Sequence, residues 1–468
     1  MLLPWLSLFD LRTVFTNYLD AHKVLREKCE DFVVMIPIFN DVKYITNIES
    51  LKRYKEKVIF CTTNLETEKF YSDLKKIADE NKFQIIRCEF KEEAKNPWKI
   101  YHKTLLAHDY VLGESIKLLN VKYVIFLDAD TACKADLAYL AGNMEQSELD
   151  LASVKVIPSK TNTFAEKMQD IEYKIAMKSR KIYPWLTSGA AMIGKRTSLI
   201  KIMEKHSLFF NGGDIEIGKI ANLSGLNVGH IPMTFYTDVP SKLYDLFKQR
   251  FSWFCGAFRH SIVNAHTNLF NPIYSFYFTV IIFLMLPFKI YELIIHWYII
   301  PFLYLFYLVV MVLTNWEFKN RYMLLFPFYS LFQVIVLPIC GIIRYIKTVH
   351  RTKNIGMMKI HYKQGYHPAK YTRNIFILLL VFFIIFNIHL VEGKLLLSNI
   401  DLLQIVGISF YEQGALGIIF NGLKLSMLLI GVFLVLLAIF KTRYHFKKEK
   451  TNIMKNIKGF LRKYSIRT

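Results

Sequence analysis

Near residue 260 the chain changes character. Before that point charged residues recur throughout. Beyond it come apolar runs at about 273–288, 294–314, 323–343, 374–391 and 424–440, at or near the length that crosses a bilayer. A chain of 468 residues built this way folds as two unlike parts, one globular and one facing lipid. The expected division is an interfacial N-terminal helix over 1–30, with Trp5 and Phe9 near the headgroups, then a globular domain over 31–260. Transmembrane and interfacial helices follow over 261–445, and a basic tail over 446–468.

The formal net charge is +22, and much of the excess borders the apolar runs. Residues 344–373 carry Lys347, Arg351, Lys353, Lys359, Lys363 and Lys370 without a single Asp or Glu. Such loops stay on the cytosolic side, where anionic headgroups hold them. If the globular domain is cytosolic too, an even number of crossings separates the two, so one of the first three runs is interfacial; 273–288 is the candidate. A multi-pass membrane protein with a cytosolic globular half and C-terminus is therefore expected, in contact with membrane lipids. No base-stacking motif accompanies the charge, so no nucleic-acid partner is expected. Cys29, Cys61, Cys88, Cys133, Cys255 and Cys340 lack paired spacing, which fits a reducing compartment better than a disulfide framework or a zinc site.

From residue 31 to about 239, short β-branched runs alternate with charge-rich helical stretches, the pattern of a parallel sheet with crossover helices. Strands are expected at 32–37, 57–61, 83–87 and 123–127, and helices over 65–80 and 100–119. Directly after the fourth strand stands Asp128-Ala129-Asp130-Thr131. Two carboxylates one residue apart, on a strand leaving the ligand edge of its sheet, can both reach a divalent cation that also binds a diphosphate. Alone, an Asp-x-Asp is equally a turn.

Further features follow in order. Gln169, Glu172 and Tyr173 lie on a polar helix. A small-residue turn runs from Thr187 through Ser188, Gly189 and Ala190 into a strand. Gly212-Gly213-Asp214-Ile215-Glu216 opens a helix, and Gln249-Arg250-Phe251-Ser252-Trp253 precedes the first apolar run. With Pro37 and Asn40 after the first strand, this chain resembles the family 2 glycosyltransferases, in particular the membrane-embedded branch that contains chitin, hyaluronan and cellulose synthases. The resemblance covers roughly residues 32–260 in its motifs and the remainder in architecture.

The resemblance implies an α/β fold: a GT-A-type nucleotide-binding domain with a mixed, mostly parallel sheet, followed by an α-helical transmembrane domain. It implies an inverting, metal-dependent hexosyltransferase, with Asp130 and Asp128 holding Mn2+ or Mg2+ and Asp214 as the catalytic base. Glu216 is the fallback for that base, and helix capping is the other use of an acid at position 214. Pro37, Asn40, Ser188 and Gly189 would line the substrate site. Gln249, Arg250 and Trp253 partly match a Gln-x-x-Arg-Trp element in which the indole packs under the acceptor sugar; an interfacial anchor is the alternative for Trp253.

The chain departs from the family in three places. Ser252 occupies the arginine position, Gly213 replaces an acid that often precedes the base, and Cys61-Thr62-Thr63-Asn64 replaces an Asp pair that reads uracil, leaving Thr62 or Asn64 for that task. Lys103 and His102 sit where relatives place a phosphate-side lysine, or at a solvated helix start. Residues 344–373 stand where relatives have a gating segment. The expected function is transfer of a sugar, N-acetylglucosamine or a related hexose, from a UDP-sugar to a growing β-linked polysaccharide, with coupled export. The rivals are transfer of one sugar to a ceramide, sterol or polyprenyl phosphate lipid, and a degenerate transferase acting as a scaffold.

Overall fold

The structure is a computed structural model that describes residues 27–89, 103–209, 211–268, 276–284, 286–295, 297–315, 318, 320–352 and 354–358. The N-terminal interfacial helix, His102, the two apolar runs beyond 373 and the basic tail lie outside these residues, wholly or nearly so. Eight strands form one sheet: β1 Phe32–Pro37, β2 Val58–Thr63, β3 Gln84–Cys88, β4 Tyr123–Leu127, β5 Thr131–Cys133, β6 Leu151–Pro158, β7 Ala191–Lys195 and β8 Val228–Thr237, in the order β3-β2-β1-β4-β7-β6-β8-β5. The β1, β2, β3 and β4 neighbours pair in parallel, β7 runs antiparallel to β4 and β6, and β8 runs parallel to β6. The expected α/β sheet, mixed and mostly parallel, is present.

Both faces of the sheet are covered, which is why its strands read as continuous apolar runs. Val34, Phe60 and Ile125 pack into one buried cluster while Val33, Met35, Ile59, Val124 and Phe126 pack into another, following the two-residue alternation of a strand. The helices beside it are α1 Glu68–Asn81, α2 Lys103–Leu118, α3 Leu137–Gln146, α4 Phe164–Ile182, α5 Arg196–Met203 and α6 Gly213–Leu223. Local signals set their ends: Thr67 accepts from Phe70 N to start α1, and Thr163 with Glu166 forms a capping box at α4.

The chain passes from β4, in the middle of the sheet, to β5, at its outer edge, through residues 128–130 alone. Four residue steps reach about 14 Å at most, whereas four strand spacings in a flat sheet total about 19 Å. The sheet therefore curls so that the end of β8, paired with β5 at Thr131↔Thr237, swings back towards the end of β4.

Helix α7 Leu243–Phe258 leads into the apolar half. There the runs at 273–288 and 294–314 form short pieces, including α8 Leu286–Ile295 and α9 Ile300–Thr314, and the third forms α10 Phe326–Thr352. Among the described residues α10 is the one helix long and apolar enough to cross a membrane. It crosses α7 closely: a Cβ on Gly341 would stand 2.6 Å from the Phe254 carbonyl carbon.

Candidate active site

The ends of β1, β2 and β4 face one sheet edge, and the expected site residues gather along it. Asp128 leaves β4 with its N–H donated to Ala190 O at 3.0 Å, which ties the Asp-x-Asp turn to the small-residue turn before β7. Asn47, 4% exposed, clamps the same turn by donating Nδ2 to Asp128 O at 3.1 Å and to Thr131 O at 2.7 Å. Asp130 Oδ1 accepts from Thr131 Oγ1 at 3.2 Å and Thr237 Oγ1 at 3.3 Å. Asp238, whose carboxylate receives Thr46 Oγ1 and Ser159 Oγ, adds a third negative charge close to Asp130.

These acids are crowded. Burial first, then Asp130, push the Asp128 carboxyl up to about 7, with Asp214 adding to the rise. Burial lifts Asp130 as well, against the hydroxyl of Thr131. Paired oxygen donors that resist ionisation beside each other fit a hard divalent cation, which removes the repulsion. Asp128 and Asp130 would hold it. Among the described residues no group of three His, Cys, Asp or Glu is arranged as a closed metal site. The remaining coordination positions would therefore fall to ligand and water oxygens.

Asp214 sits in the first turn of α6, after Gly212 at φ +78°, a left-handed conformation suited to glycine. Its Oδ2 accepts from Gly189 N at 2.9 Å, and Thr187 Oγ1 donates to its carbonyl. The turn containing Ser188 and Gly189 therefore touches Asp214 on one side and Asp128 on the other. Burial lifts the Asp214 carboxyl above its ordinary value, while the N–H groups of Gly189 and Ile215 and the Arg180 guanidinium favour its ionised form. Glu216 is held elsewhere: fully buried, it pairs with Arg259 Nη2 at 2.8 Å and accepts from Ser207 N and Oγ, both at 2.7 Å.

The missing acid at Gly213 has a counterpart. Asp109 on α2, 4% exposed, places Oδ2 at 2.2 Å from the position a Gly213 Cβ would take. Its Oδ1 bonds His108 Nδ1 at 2.9 Å. Burial works against the charge on His108, but the Asp109 carboxylate, with Asp128 and Asp214 beyond it, holds the imidazole above its usual value.

Where the nucleotide is expected, Pro37 closes β1 opposite Cys61. Asn40 is exposed at φ +66°, with its N–H donated to Glu66 Oε2 at 3.2 Å. Of the two residues expected to read the base, Thr62 is 0% exposed within β2, because its side chain falls on an inward-facing position of the strand. Asn64, past the end of β2, is exposed. Lys103 is the first residue of α2.

The element expected to meet the acceptor lies on α7. Trp253 is 45% exposed and its ring lies 6.3 Å from that of Tyr173 on α4. Arg250 departs from expectation: it is 0% exposed and its Nε and Nη2 fork onto Glu172, with the shortest contact at 2.6 Å. Its Nη1 donates to Gln249 Oε1 at 2.6 Å. Arg250 is buried against α4, while Trp253, one turn on along the same side of the helix, keeps part of its ring exposed. Ser252, at the family's arginine position, donates Oγ to Asn211 Oδ1. Close by, a Cβ on Gly256 would stand 2.8 Å from Asn211 O, so α7 lies directly against the loop that starts α6.

Sequence reasoning missed Asn47, Asp109, Arg180 and Asp238. None belongs to a motif, and each reaches the site only through the fold.

Residues 123–350 match the family described as Glycosyl transferase family group 2. No curated protein matches the chain. Among solved structures, a mannosyltransferase from Pyrobaculum calidifontis in complex with GDP-Man and Mn2+ is 12% identical, with 74% of this chain and 94% of that one covered at a TM-score of 0.45. TarS residues 1–349 from S. aureus, in complex with UDP, are 16% identical over 72% of this chain and 97% of that one, at a TM-score of 0.32. Glucosyl-3-phosphoglycerate synthase from Mycobacterium tuberculosis, with Mn2+, UDP and glucosyl-3-phosphoglycerate, is 13% identical over 51% of this chain and 78% of that one, at a TM-score of 0.31.

Proposed function

We propose that this chain, whose residues 123–350 match the family described as Glycosyl transferase family group 2, transfers a hexose from a nucleoside diphosphate sugar with inversion at the anomeric carbon. The observation that supports this is that the turn at 188–190 bonds Asp128 through Ala190 O and Asp214 through Gly189 N, bringing the Asp-x-Asp turn and the start of α6 to the same small-residue turn.

Asp128 and Asp130 would hold Mn2+ or Mg2+, which when bound neutralises the charge gathering on the leaving diphosphate. Asp214 takes the proton from the acceptor hydroxyl as its oxygen bonds to the anomeric carbon. The bond to the diphosphate breaks on the opposite face, and its electron pair leaves with the phosphate oxygen. Burial makes Asp214 a stronger base than a solvated acid, while the Gly189 N–H fixes one carboxylate oxygen. Asn64 is assigned to the base and Asn40 to the substrate, both exposed beyond the ends of β2 and β1, and the donor assigned is a UDP-sugar, N-acetylglucosamine or a related hexose. Trp253 and Tyr173 supply an aromatic floor for the acceptor.

The acceptor assigned is a growing β-linked polysaccharide, and the chain is anchored through several spans with its catalytic half and C-terminus in the cytosol. Helix α10 and the acid-free run at 344–373 support that placement. A second reading, transfer of one sugar to a membrane lipid, is favoured by the packing of the acceptor helix α7 along α10. Incubating the purified protein with a panel of radiolabelled sugar nucleotides and manganese tests both. High polymer supports the first, a single labelled lipid the second, and no transfer from any sugar nucleotide rejects the enzyme.

A further inference from the structure

Glu172 is where three helices meet. It projects from α4 and receives Arg250 of α7 through Nε at 3.1 Å to Oε1 and Nη2 at 2.6 Å to Oε2. From α10 it receives Tyr329 OH at 2.9 Å on Oε2 and Gln333 Nε2 at 2.9 Å on Oε1. Both oxygens are thus shared between the acceptor helix and the apolar helix. On its other side, the Arg250 guanidinium lies 3.8 Å from the centre of the Trp253 ring. An unbroken line of contacts runs from α10 through Glu172 and Arg250 to the indole.

A buried ion pair contributes little net stability over apolar packing, but it fixes geometry, since a planar fork meets a carboxylate in one way. A flat cation stacked on a ring transmits that geometry to the ring. The close crossing of Gly341 over Phe254 leaves α7 and α10 little room to slide independently.

We propose that Glu172 is a positioning residue that sets the plane of Trp253 through Arg250, so that the acceptor platform follows the position of the apolar helix α10. The proposal rests on the acceptor role given to Trp253. Donor binding, assigned to Asn64, Asp128 and Asp130, is independent of it. In a chain that takes an acceptor from the membrane or passes one into it, this links engagement of the acceptor to the seating of the membrane helix.

The test uses the full chain in detergent. Trp253 emission is obtained as the difference from the Trp253→Phe protein and quenched with acrylamide. Affinity for UDP with manganese is measured by calorimetry. Tyr329→Phe, Gln333→Leu and Glu172→Gln are each expected to raise the Trp253 quenching constant, by about twofold where the ring face loses its guanidinium cover, with the affinity for UDP unchanged. Tyr329→Phe removes one hydroxyl and is the variant that keeps the test open if Glu172→Gln does not fold. Unchanged quenching in Tyr329→Phe and Gln333→Leu overturns the proposal. Absence of UDP binding in the unaltered protein strikes the proposed function instead and leaves the quenching result readable.

Discussion

Asp109 and any side chain at position 213 exclude each other: the Asp109 Oδ2 atom lies 2.2 Å from where a Cβ on Gly213 would stand, so the acid on α2 requires the glycine on α6. Adding even one methyl at 213 forces a buried carboxylate out of place. Gly213→Ala is expected to lower stability by ~1–3 kcal/mol. Asp109→Ala should relieve that clash, and a double-mutant cycle in urea, read by circular dichroism, checks the coupling between the two.

Replacing Asp214 with Asn removes the proposed proton acceptor while leaving the Gly189 N–H a side-chain oxygen to meet. Turnover of the sugar nucleotide is expected to fall by about 10²–10⁴-fold, with nucleotide affinity retained. Steady-state kinetics beside calorimetry separates the two quantities, and full activity in the variant removes Asp214 as the base.

Glu216→Gln probes the other acid on α6. It strips the partner from Arg259 in a fully buried ion pair, so stability is expected to fall by about 3–5 kcal/mol. A lowered thermal midpoint with kcat preserved in the cold is the outcome that separates it from Asp214.

The Asp128 carboxyl is raised from 3.8 to about 7. Without metal, the folded chain holds a proton that the unfolded chain has released across that window. This contribution to stability is present at low pH and lost as pH rises through about 7. A cation competes with the same proton, so the rise in melting temperature on adding manganese is expected to be larger at about pH 8 than at about pH 5.5. Asp128→Asn should abolish that difference in a thermal shift assay.

Thr62→Val tests the nucleotide end. The Thr62 Oγ1 is buried without a hydrogen-bond partner among the described residues, so the isosteric apolar residue is expected to leave UDP affinity unchanged and stability unchanged or slightly raised. Asn64→Ala should weaken UDP by about 1 kcal/mol, measured by calorimetry. A strong loss in the valine variant would move base recognition back to position 62.

Much of this was legible in the sequence, and unevenly so. Strands β1 and β4 fall at the expected residues because an apolar run buried on both faces is bounded sharply by Pro37 at one end and by Asp128 at the other. The β2 boundary was less distinct, since Thr62 and Thr63 suit a strand and a loop alike, and only pairing with β3 shows that the strand continues through them. The face of α7 was beyond reach: Arg250 finds its carboxylate 78 residues away, and nothing near it in sequence tells which way it points. Asn47 and Asp109 were invisible for the same reason.

The crossing from β4 to β5 carries one more implication. Its length is dictated by the curl of the sheet, independently of what Asp128 and Asp130 bind. A descendant that abandoned the chemistry would shed the two acids freely, yet one deleted residue there would pull β5 off β8. The interval between those strands is thus a ruler that outlasts the motif, and lapsed members of the lineage should be traceable by it.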